Sequence, residues 1–111
     1  MAIVSVDAET LMVEITRGDT AIIDVTLEGD VPADGTIALI SLKKQTRDTT
    51  AVWEKRVPIT NGQFTFSLTS ADTDLAPWKY WWDVRFLYKD GSVYTSMSPS
   101  PFVIAEVIGN A

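Results

Sequence analysis

The sequence predicts an all-β protein, an antiparallel sandwich of seven to eight strands. Three observations carry that expectation. Apolar residues recur at every second position in one run after another, the period of a half-buried strand. Turn signals rich in glycine, proline and asparagine separate the runs at short intervals. No helical pattern is long enough to cover a sheet, so one sheet must cover another.

The first alternating run, "LMVEIT", stops at Arg17-Gly18-Asp19 and resumes in "TAIIDVTL". Glycine serves where φ turns positive, so Arg17-Gly18-Asp19 reads as a tight turn between strands rather than as an integrin-type recognition triplet. In "AIIDVTL", Ile23, Val25 and Leu27 point one way, Asp24 and Thr26 the other. The loop "EGDVPADG" follows, then "TIALISL", apolar on both faces and so an interior strand whose facing stays open. "AVWEKRV" is a strand of undecided facing too, since Trp53 and Val57 argue for one side and Val52 for the other.

Asn61-Gly62 in "TNG" suits the positive φ of a two-residue hairpin turn, and "KDG" at Lys89 to Gly91 is a second hairpin signal. Between them "QFTFSLT" alternates cleanly, and Ser70 is placed to cap a single helical turn before Pro77. In "WKYWWDVRFLY", Trp78, Tyr80, Trp82, Val84 and Phe86 share the face expected in the core. Pro99 and Pro101 cannot donate to a ladder, so the last strand is expected to begin afresh near Phe102.

The 111 residues are expected to form one domain over 1–111, with 46% hydrophobic and 22% charged residues in the ordinary globular range. There is no cysteine, so disulfides and thiolate metal or redox sites are excluded; no histidine, so serine–histidine and cysteine–histidine machinery is excluded too. The expectation is no enzyme and no cofactor. Nine basic residues against fifteen acidic give a net charge of −6, which disfavours nucleic acid and anionic membrane surfaces. "MAIVSVDAETLMV" lacks the basic and long apolar regions of a secretory signal, and no apolar run nears the roughly 18 residues of a membrane helix, so the chain is expected to stay soluble where it is made.

The order of these features resembles the small β-sandwich proteins of tailed phages and prophages, in particular the N-terminal domain of baseplate upper proteins. The likeness rests on "ITRGDTAIIDVTLEGD", "LKKQTRDTTAVWEKRV", "NGQFTFSLTSADTDLAPWKYWWDVRF" and "DGSVYTSMSPSPFVIAEV", from about Ile15 to Val107. It implies an immunoglobulin-like domain, without catalytic activity, that docks inside a tail or baseplate of the virion. Unlike those proteins, this chain ends at Ala111 with no fibre or receptor-binding part, which favours a connecting or decorating subunit. Leu75 followed by Trp78, Tyr80 and Trp82 is similar to the fibronectin type III pattern, in which Tyr80 would bond back to the preceding corner.

Candidate partner-binding residues follow from position and charge. Trp81 points to the polar face with Lys79, Asp83 and Arg85, where it either meets a partner or lies under a loop. Lys43, Lys44, Arg47, Lys55 and Arg56 give the segment 43–56 a net charge of +3 against −9 for the rest. That asymmetry attracts an acidic virion neighbour or a second copy of the chain, a homo-oligomer; a solvated hairpin with lysines guarding an edge strand explains it as well. The alternative function is a carbohydrate-binding module stacking sugars on Trp81 and Trp53. Glu28, Asp30 and Asp34 read as a solvated turn rather than a calcium site, and Asp72 and Asp74 as capping and turn residues. Asp24 and Asp83 are not expected to form a catalytic pair.

Overall fold

The computed structural model describes residues 2–6, 12–27 and 32–106, with side chains described outside 2–6 and 96–98. These residues form an all-β protein of eight strands and one helical turn. They are β1 (Ala2–Val6), β2 (Val13–Thr16), β3 (Ala21–Thr26), β4 (Ile37–Lys43), β5 (Trp53–Pro58), β6 (Gln63–Leu68), α1 (Ser70–Thr73), β7 (Trp78–Leu87) and β8 (Val93–Ala105). One sheet has the order β1-β3-β6 and curls into a half-barrel; the other has the order β2-β8-β7-β4-β5. β1 extends the tally, since "AIVSV" carries no strand expectation in the sequence reading.

Both sheets contribute to one core. Ile23, Phe64, Phe66 and Leu68 from the first meet Ile40, Leu42, Trp82 and Phe102 from the second. Trp82 is the anchor: its ring lies 6.2 Å from Phe66 and 6.2 Å, edge-on, from Phe102. The alternation expected for β6 and β7 is what delivers these rings to one side. β4 is buried on both faces and lies between β7 and β5, as an interior strand should. The facing of β5 is now decided. Trp53 turns inward against Phe66 and Phe102, while Val52 is left exposed.

Pairing is mixed rather than wholly antiparallel. β1 runs parallel to β3, and β2 parallel to β8. Only a short hairpin within one sheet obliges antiparallel pairing, and neither edge strand has such a link to its partner. The Arg17-Gly18 turn instead carries the chain from one sheet to the other. Asp19 N–H donates to the Thr16 carbonyl at 3.1 Å across it, and Gly18 has φ +83°. At Asn61-Gly62, φ values of 52° and 69° and reciprocal Thr60–Gln63 hydrogen bonds make the expected two-residue turn. The Asp90-Gly91 turn closes the β7–β8 hairpin between Tyr88 and Ser92.

Three expectations are corrected. The helical cap is Thr69, not Ser70: Thr69 Oγ1 accepts from Asp72 N–H at 3.2 Å, and Asp72 Oδ2 accepts from Thr69 N–H at 2.8 Å, a reciprocal box that Ser70 cannot make. β8 does not restart at Phe102 but runs unbroken from Val93. Among the described residues the neighbouring β2 ladder begins at Phe102, beyond both prolines, and Pro99 falls at the register irregularity of the β7 ladder, between Ser100 and Met97. Trp78 is not core but 52% exposed. β4 ends at Lys43, opposite Trp81, and among the described residues no strand flanks Trp78 on that side.

Candidate partner-binding surface

The register of β4 and β7 builds the surface. Lys43 pairs with Trp81, Ser41 with Asp83 and Leu39 with Arg85, and all six project away from the core. Trp81 is half-buried, with the Lys79 ammonium 4.8 Å from its ring centre. Lys44 sits at the end of β4 and covers the exposed Trp78 ring at 5.6 Å. The end of the sheet where β4 finishes and β7 begins therefore carries an indole on each face, Trp81 beside Lys43 and Lys79 on the outer face and Trp78 under Lys44 on the core-side face. Such pairs hold cations in place while leaving ring edges and charge available to a partner.

The five basic residues of the segment 43–56 do not form one patch. Lys43 and Arg56 lie on the outer face; Lys44 and Arg47 belong to the β4–β5 connection, where Arg47 Nε donates to Gln45 Oε1 at 3.2 Å. Lys55 turns toward α1 and donates to Asp72 Oδ2 at 2.7 Å, partly shielded from water. It is spent inside the chain. β5 is nonetheless one of the two edge strands of its sheet among the described residues, guarded by Lys55 and Arg56.

Asp72 is a hub at this same end, where α1 leads into the start of β7. Burial pushes its carboxyl pKa up, but the Lys55 hydrogen bond and charge, with the Thr69 donors, outweigh that and hold it below the ordinary 3.8. Its backbone carbonyl accepts from Trp53 Nε1 at 3.2 Å. The Arg17-Gly18-Asp19 turn is stitched onto α1 alongside it. Ser70 Oγ donates to the Gly18 carbonyl at 2.8 Å, Thr73 Oγ1 to the Asp19 carbonyl at 2.7 Å, and Arg17 pairs with Asp74 at 3.0 Å. That triplet is a clasp between chain segments, with its arginine engaged. Tyr80 does bond back to the corner: its hydroxyl donates to the Ala76 carbonyl at 2.9 Å, and burial, set against the Arg17 charge, raises its pKa above 10.0.

The remaining candidates separate. Asp24, on the three-stranded sheet, accepts from Thr65 Oγ1 at 2.6 Å, whereas Asp83 is on the five-stranded sheet with Oδ1 buried and no donor among the described residues. Asp34 accepts from Asn61 N–H at 3.0 Å; Glu28 and Asp30 lie outside the described residues. No group of three or more metal-ligating side chains occurs among the described residues. Trp53 packs against Phe66 and Phe102, while Trp81 lies on the outer face of the sheet. Sequence reasoning missed Trp78 as a surface ring; its place next to Pro77, at the very start of a strand, was the available signal.

A comparison with protein-family models and with curated proteins finds no match for this chain.

Proposed function

We propose that this chain is a non-enzymatic structural and protein-binding subunit of a phage or prophage tail or baseplate, resident in the virion. It is built as an immunoglobulin-like sandwich and acts by docking against other virion proteins and copies of itself. The sandwich reading is supported by the strand order. β3 and β6 face β4, β7 and β8 across the core, with β5 added beside β4 as in variable-type domains. The Tyr80–Ala76 bond at the start of β7 is the corner such sandwiches use.

The docking reading rests chiefly on one observation, the aromatic and cationic end of the five-stranded sheet. There Trp78 is half exposed under Lys44 on one face and Trp81 is partly exposed beside Lys43 and Lys79 on the other, on a chain of net charge −6. Indoles held beside cations make a surface suited to an acidic protein neighbour. The free edge of β6 adds a second contact surface, since "QFTFSL" has no charge or proline to discourage strand addition.

The test couples two measurements. Sedimentation over a wide concentration range reports self-association, and a column of the protein, washed with lysate of tailed phage, reports capture. Retention of identified tail or baseplate proteins that is lost in a Trp78→Ala/Trp81→Ala double variant is the expected result. A strictly monomeric protein that retains no virion component at all overturns the proposal.

A further inference from the structure

The outer face of the five-stranded sheet carries an open polar hollow of about 410 Å3, lined by Ser41, Lys43, Thr49, Thr50, Glu54 and Arg85. The ladders bring these residues together. Ser41 stands between Glu54 and Asp83, Lys43 is two residues further along β4, and Arg85 two further along β7. The β4–β5 connection adds the two threonines. A second space of about 10 Å3 shares Ser41 and Lys43 with the hollow and is lined by Trp81 and Asp83.

Hydrogen-bonding capacity here is largely unspent. Elsewhere Lys55 engages Asp72, Arg17 engages Asp74, and Lys44 and Lys79 cover indoles. Lys43 and Arg85 make no ion pair or side-chain hydrogen bond among the described residues. Glu54 accepts a single side-chain bond, from Ser41 Oγ at 3.2 Å.

We infer that the hollow binds a carboxylate-bearing saccharide of the uronic-acid kind. A free cation at each end of the hollow, Lys43 to one side of Ser41 and Arg85 to the other, calls for an anionic ligand, and Arg85 offers the fork that matches a carboxylate. The free oxygen of Glu54 calls for a hydroxyl donor and repels a simple anion. Ser41, Thr49 and Thr50 give and take hydrogen bonds, as sugar hydroxyls do. A neutral sugar leaves both cations unanswered, and a phosphate ion sets up to two negative charges beside the Glu54 carboxylate. The volume falls in the range of about 300–1,000 Å3 usual for small-ligand sites. The site shares Lys43 with the docking surface, but Arg85, Glu54 and the three hydroxyls are its own, and it stands whether or not that reading holds.

The test is a titration of the ¹⁵N-labelled full chain with digalacturonic acid, the matching neutral disaccharide and inorganic phosphate, up to roughly 20 mM, beyond the millimolar range of weak sugar sites. Saturable shifts at the Ser41, Thr49, Thr50 and Arg85 amides are expected with the acidic disaccharide. Binding should be at least about tenfold weaker for the neutral sugar, for Arg85→Gln and for Lys43→Gln, a difference of about 1.4 kcal/mol. Unchanged amide spectra away from the hollow show that each variant is folded, and the two variants test its two ends independently. Absent shifts, phosphate binding as tight as the disaccharide, or full affinity in both folded variants each overturns the inference.

Discussion

Replacing Asp72 tests how one end of the fold is held. Asp72→Ala removes the 2.7 Å contact from Lys55 and the 2.8 Å bond from Thr69 N–H, half of the capping box. The Lys55 pair is partly shielded, with side-chain exposures of 27% and 18%, so it contributes about 1 kcal/mol, above a surface pair but below a buried one. Losing the cap bond adds about 0.5–1 kcal/mol. The expected cost is therefore about 1.5–2 kcal/mol, or about 6–12 °C in Tm for a chain of this size. Chemical denaturation followed by tryptophan fluorescence reads it directly.

The pH dependence has a definite sign. The folded carboxyl titrates below 3.8, so the unfolded chain binds its proton first as pH falls. The advantage of wild type over Asp72→Asn is thus complete well above pH 3.8 and shrinks as pH drops through the lowered folded value. A loss under about 0.5 kcal/mol for Asp72→Ala, or a wild-type advantage over Asp72→Asn that persists unchanged into strong acid, refutes the reasoning.

Trp82→Ala should cost about 3–5 kcal/mol and leave little folded protein, whereas Trp78→Ala should change stability by under about 0.5 kcal/mol, since only Trp82 is buried; urea melts compare the two. Gly18→Ala should destabilise by about 1–2 kcal/mol through its φ of +83° alone, because a Cβ there meets nothing within 4 Å; thermal melting measures it. Tyr80→Phe should cost about 1 kcal/mol by leaving the Ala76 carbonyl without its donor, and ultraviolet titration of wild type against Tyr80→Phe should place the Tyr80 phenol above pH 10.0.

The outcome for particular residues shows why some features were legible in the chain and others were not. Phe64, Phe66 and Leu68 obey a period of two that depends only on strand geometry, so their facing was readable, and Asn61-Gly62 announced its turn through backbone sterics alone. Trp78 followed the same period and still lies exposed, because its burial depends on where a distant strand, β4, comes to an end. Lys55 and Arg56 are neighbours in sequence but have opposite fates, since pleating turns one toward Asp72 and the other toward water. The hollow was invisible for a related reason: Arg85 and Thr49 meet only because β4 pairs with β7 and β5 at once.

By itself, then, the order of residues determined the all-β class, the turns, the alternating faces and the absence of histidine and cysteine chemistry. Each of these follows from sterics, periodicity or composition over a few neighbouring positions. Tertiary structure alone decided the mixed pairing, the continuous β8, the inward Trp53 and the outward Trp78, and which charges are spent. Those depend on contacts between segments tens of residues apart, and a local pattern carries no information about the strand that will arrive beside it.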